Sequence, residues 1–82
     1  MNLGNMKISE IAKIIKQDWN PVYFTAVPYL DAMEQIESIG RSIGYDRNSE
    51  IVLNFLNNSK QWKGETAREV KAYLRELIKE DI

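Results

Sequence analysis

Five of the six residues from Ile51 to Leu56 are apolar, with only Asn54 interrupting Ile51, Val52, Leu53, Phe55 and Leu56. On a helix these side chains spread over most of the circumference, so other elements have to wrap the segment. The stretch from Ile51 to Trp62 is therefore expected to be the buried central element of the fold. An 82-residue chain leaves room for one domain around it. Such a chain buries only roughly 60–65% of the surface its unfolded form exposes, and its stability is expected on the order of 4–12 kcal/mol. That leaves little to hold a deep, strained polar site.

Two absences narrow the chemistry. The chain has no cysteine, which excludes disulfides, Zn–thiolate sites, Fe–S clusters and thiol nucleophiles. It has no histidine either, which removes the commonest general base and the commonest nitrogen ligand for a metal. The chain is read as a non-enzyme with no catalytic residue, no metal and no cofactor. Eleven basic and twelve acidic residues give a net charge of −1, so any nucleic-acid role needs a local basic patch. No run approaches the ~18–20 apolar residues of a membrane span. The opening MNLGNMKISE has no apolar core of the kind a signal peptide needs, so no membrane partner is expected and the chain reads as cytoplasmic.

The rest of the chain reads as helices. From Lys7 onward Ile8, Ile11, Ala12, Ile15 and Trp19 recur on one helical face, with Lys13, Lys16 and Gln17 on the far side. A first helix is expected at Ile8–Asp18, stopped at Asn20-Pro21 because the residue before a proline is pushed out of the helical region. With Thr25 as N-cap and Pro28 in the first turn, a second is expected at Ala26–Ile39. Its inner stripe would be Tyr29, Met33 and Ile36, with Ala26 before and Gly40 after. Gly40 to Gly44 reads as a loop, and Asp46 as the cap of a third helix, Arg47–Asn57, which Asn57-Asn58-Ser59 ends. Trp62-Lys63-Gly64 reads as a tight connector with an aromatic anchor. The last helix, Glu65–Glu80, is three-sided at roughly 100° per residue. Ala67, Val70, Leu74, Leu77 and Ile78 form its apolar side, Arg68, Lys71, Arg75 and Lys79 its basic side, and Glu65, Glu69, Glu76 and Glu80 its acidic side.

The expected fold is one all-α, compact four-helix domain over residues 1–82, with the third helix buried by the other three and residues 1–6 frayed. The alternative is α+β, with a small sheet from residues 22–27 and 51–55, because VYFTAV is β-branched and aromatic. Against that sheet, Leu56 continues the apolar run without alternation and no hairpin turn joins the two segments.

Two stretches carry a resemblance. Asp18-Trp19 with Val22-Tyr23-Phe24-Thr25-Ala26-Val27-Pro28-Tyr29-Leu30-Asp31-Ala32-Met33 is one, and Phe55-Leu56-Asn57-Asn58 followed by Trp62-Lys63-Gly64-Glu65-Thr66-Ala67-Arg68 is the other. Together they resemble a group of small proteins encoded in phages and prophages, over most of the chain from about Ile8 to Leu77. The resemblance implies an origin in a phage or prophage and a place in the cytoplasm of a bacterial host. It assigns no activity and no site residue.

Candidate sites come from the residues alone. Arg68, Lys71, Arg75 and Lys79, with Lys60 and Lys63 just before them, form a basic stripe able to follow a phosphate backbone or an acidic partner. The plainer reading is a solvated face beside an acidic one, with Glu65–Arg68 and Glu76–Lys79 pairs of ~0.2–0.5 kcal/mol each. A helix-turn-helix is disfavoured, because its recognition helix would open on Gly-Glu-Thr-Ala and set a glutamate against phosphates. Tyr23 and Trp62 are the aromatic interface candidates, Tyr23 being expected to be the more exposed. The plainer reading of Trp19, Tyr23, Phe24, Tyr29 and Trp62 is core. Asp31, Glu34 and Glu37 drift by ~60° at each step of three, so they do not converge on a cation. With no base between Lys16 and Arg41, the second helix is expected to present an acidic surface to a basic partner or a second copy.

These features point first to a small non-enzymatic accessory protein that binds another protein. A nucleic-acid binder using the basic stripe comes second, and an anti-defence factor holding an anionic small ligand third. The sequence does not set the oligomeric state.

Overall fold

The computed structural model describes residues 2–38 and 47–80. Among them the chain forms four α-helices and no strand: α1 (Ile8–Asp18), α2 (Val27–Met33), α3 (Arg47–Asn57) and α4 (Glu65–Glu80). The fold is all-α, and residues 22–27 and 51–55 form no sheet. Both α1 and α3 pack chiefly against α2 and α4, so the helices close a ring around one core. Ile8, Ile11, Ala12 and Ile15 enter it from α1, and Val70, Leu74 and Leu77 from α4. Among these described residues, no helix is long and apolar enough to cross a membrane.

The start of α1 is held from two directions. The first N–H groups of a helix have no partner inside it. Here the Lys7 N–H donates to the Glu10 carboxylate at 2.8 Å. Those of Ile8 and Ser9 donate to the carbonyls of Ser38 and Ile36, both at 2.9 Å. Just ahead, Leu3–Asn5 make a short 3₁₀ turn whose Leu3 is buried against the core. The expected fraying of residues 1–6 is thus corrected from Leu3 on, because that side chain has a place in the core.

That arrangement also explains why α2 ends at Met33, six residues short of the expected Ile39. After Met33 the N–H groups of Gln35 and Ile36 reach back only three residues, to Ala32 and Met33. The carbonyls of Ile36 and Ser38 are then free to cap α1. At its other end Thr25 is not the cap: Ala26 takes that position without a side-chain bond, and Pro28 sits in the first turn as expected. Backbone turns from Ala26 N–H to the Tyr23 carbonyl (2.9 Å) and from Val27 N–H to that of Phe24 (3.4 Å) set the helix start. The inner stripe is Ala26, Leu30, Met33 and Ile36, with Leu30 in the place expected of Tyr29, which is half-buried. Ile39, the loop from Gly40 to Gly44 and the Asp46 cap lie outside the described residues.

The helix α3 is a side of the ring and not its wrapped centre. Val52, Phe55 and Leu56 face inward, Ile51 is half-buried, and Leu53 is left 44% exposed. A helix with two main neighbours buries one broad stripe, and five apolar side chains in six positions exceed it. Beyond its end, the Asn58 amide donates to the Asn54 carbonyl at 2.8 Å and the Ser59 hydroxyl to the Leu56 carbonyl at 2.9 Å. Side chains thereby satisfy the last-turn carbonyls, as the Asn-Asn-Ser run implied. Gly64, at a φ of +118° that L side chains rarely adopt, turns the connector into α4.

Candidate functional site

The connector from Asn58 to Gly64 positions everything on the basic side. Trp62, expected as an interface candidate, is only 2% exposed and belongs to the core. Its ring lies nearly parallel to that of Trp19, at 5.9 Å and 12°, and against Phe55 at 6.3 Å. Its indole N–H donates to Asp18 Oδ2 at 2.8 Å, which ties the connector to the end of α1. A buried indole needs such a partner for its N–H.

Lys71, expected in the basic stripe, also holds the connector. Its ammonium donates to the carbonyls of Ser59 (2.7 Å) and Trp62 (2.6 Å) and lies 5.8 Å from the Trp62 ring. These bonds hold the connector against α4. Burial first, and then repulsion from Arg75 and Lys63, push its pKa below the ordinary lysine value.

The six cations do not form one stripe. Lys63, Arg68, Lys71 and Arg75 line a hollow of about 360 Å³ with Trp62 and Ala67, and no carboxylate among the described residues lines it. Lys60 lies instead in a smaller hollow of about 160 Å³ with Tyr23, Asn57 and Asn58. The side chain of Lys79 lies outside the described residues. Glu65 and Arg68 form no ion pair; those among the described residues belong to α1 and the α2 segment. Lys16 Nζ bonds Asp31 at 2.8 Å and Glu34 at 2.7 Å, and Lys7 pairs with Glu37 at 3.6 Å. The acidic surface expected on the second helix is thus met in part by Lys16 and Lys7, two cations against three carboxylates. Among the described residues no group of three or more carboxylates gathers to hold a metal ion.

The aromatic side holds a residue that the sequence undersold. Tyr23 is 40% exposed, as expected, but Phe24 beside it is 73% exposed, with ring centroids 4.9 Å apart. Both sit in the turn between the two prolines, where no helical period aims side chains inward. Between α3 and α4 a groove of about 570 Å³ is lined by Leu53, Leu56, Ala72 and Ile78, with Asn57, Arg75 and Glu76. Asn57 also lines the hollow at Tyr23, and Arg75 and Ala72 also line the basic one. Aromatic, apolar and basic surfaces therefore form one continuous band.

No family model matches the chain, and no curated protein or solved structure matches it.

Proposed function

We propose that this is a small, non-enzymatic, phage-associated accessory protein that acts in the cytoplasm of a bacterial host by binding another protein. The contact surface centres on Phe24 and Tyr23 and runs past Asn57 into the α3–α4 groove. The exposure of Phe24 carries this reading. Fully burying such a side chain is worth roughly 1.5–3 kcal/mol, which the free protein leaves unused and a partner's surface recovers. The phage association rests on the resemblance of the Asp18–Met33 and Phe55–Arg68 stretches. The test is capture from host-cell lysate by wild type and by Phe24→Ser side by side. One protein should be retained by the wild type at high salt and lost by the variant. Equal capture by both, or capture that disappears with salt alone, would remove the aromatic face from the account.

A second reading, nucleic-acid binding through Lys60, Lys63, Arg68 and Arg75, is supported by the basic hollow that the last three line, with no carboxylate among its described residues. It requires affinity for duplex or single strands that falls steeply with salt.

A further inference from the structure

We infer that the hollow formed by Lys63, Arg68, Lys71 and Arg75 at the start of α4 is a binding site for a phosphate-bearing small anion. The inference rests on the basic hollow and not on the exposed aromatic side chains that carry the protein-binding reading, although Arg75 lines both this hollow and the α3–α4 groove.

Arg68, Lys71 and Arg75 are spaced by three and four, so they stand on one face of α4, and Lys63 reaches the same hollow from the connector. Glu65, Glu69 and Glu76, carried on the same helix, line no part of it. Lys71 bonds two carbonyls, which accept its protons without cancelling its charge. Burial lowers its pKa first, and repulsion from Arg75 and Lys63, which line the same hollow, lowers it further. In a chain with a net charge of −1 this is a local excess of positive charge. A bound anion supplies the missing counter-charge.

The spacing says which anion. Arg68 and Arg75 stand two turns apart, roughly 10 Å along the helix axis. One phosphate engages one guanidinium bidentately. A diphosphate reaches toward both, with Lys71 beneath and Lys63 at the rim. Linked phosphates therefore bind more tightly than inorganic phosphate.

The test is an amide NMR titration of the labelled protein at low salt with inorganic phosphate, pyrophosphate, ATP and a short DNA duplex. Arg68→Gln and Arg75→Gln are titrated in parallel. Neither arginine supports the connector, and thermal melting confirms that both variants fold. Pyrophosphate and ATP should shift the amides of residues 62–68 and 71–75 saturably, and each variant should bind about tenfold more weakly. ATP binding more tightly than pyrophosphate makes the natural ligand a nucleotide; equal binding makes the phosphates themselves the recognised group. The inference is overturned if shifts do not saturate, if they persist unchanged in both variants, or if only the duplex produces them.

Discussion

Lys16 and Lys71 each tie a helix to another segment of the chain, and their partners differ in kind. Lys16 crosses from α1 to two carboxylates of the α2 segment, Asp31 and Glu34. Lys71 crosses from α4 to two connector carbonyls, those of Ser59 and Trp62. On the first side the ammonium charge is met by carboxylate charge, and the balance left over is negative. The second gives the ammonium two carbonyl acceptors but leaves its charge standing beside Arg75 and Lys63. The hydrogen bonds to Asp31 and then Glu34 raise the Lys16 pKa, whereas burial and then the neighbouring cations lower that of Lys71. A structural lysine can therefore either have its charge met by carboxylates or leave a surface able to take an anion.

Four substitutions probe this contrast in order of expected effect. Trp62→Ala removes the ring against which the whole connector is built and should destabilise the protein by about 3–5 kcal/mol in denaturant unfolding. An effect below 1 kcal/mol, well under that range, would mean that the connector is not anchored in the core. Lys71→Met keeps the stem but strips the Ser59 and Trp62 carbonyls of a charged donor, and should cost about 1–3 kcal/mol. Gly64→Ala meets no neighbour within 4 Å, yet forces an L residue to a φ of +118°. It should lower stability by about 1–2 kcal/mol through backbone strain alone. Lys16→Met should be mildest, at about 0–1 kcal/mol and shrinking with salt, because its pairs are partly solvated. A Lys16 effect larger than that of Lys71 would reverse the contrast.

Alkaline pH separates the two lysines by sign. The stability contributed by Lys16 is complete below the ordinary lysine value of 10.5 and is lost as pH rises through its higher folded value. Lys71 acts the other way. Between its lowered folded value and 10.5, unfolding takes up a proton, so stability rises with pH across that window. Lys71→Met should abolish the rise and Lys16→Met the later fall, as read by urea unfolding across the alkaline range.

Much of the fold was legible because α1, α3 and α4 carry their own signals. Ile8, Ile11, Ala12 and Ile15 repeat at helical spacing, Asn20-Pro21 stops α1, and Asn-Asn-Ser ends α3. All three helices have the expected bounds. The end of α2 was not legible, since it depends on carbonyls of Ile36 and Ser38 that bond residues nearly 30 positions away in the chain. Trp62 was read as core and connector anchor, the plainer reading, and also as an interface candidate; it is core. Which residues bury it, Trp19, Phe55 and Asp18, depends on contacts distant in the chain. The basic residues were visible as types, but their division into Lys60 at Tyr23, a Lys71 that holds the connector and three exposed cations needed the path of the connector. Phe24 carried one usable signal, its place in a turn between two prolines, which frees a side chain from any inward period.

The most direct test of the contrast is the pKa of each lysine ammonium, read by NMR of ¹³C-labelled lysine side chains across the alkaline range at low salt. Lys16 should titrate above 10.5 and Lys71 below it, with Lys71 moving upward in Arg75→Gln. A Lys71 that titrates at or above the ordinary value and ignores Arg75 would mean that its charge is already compensated, as that of Lys16 is.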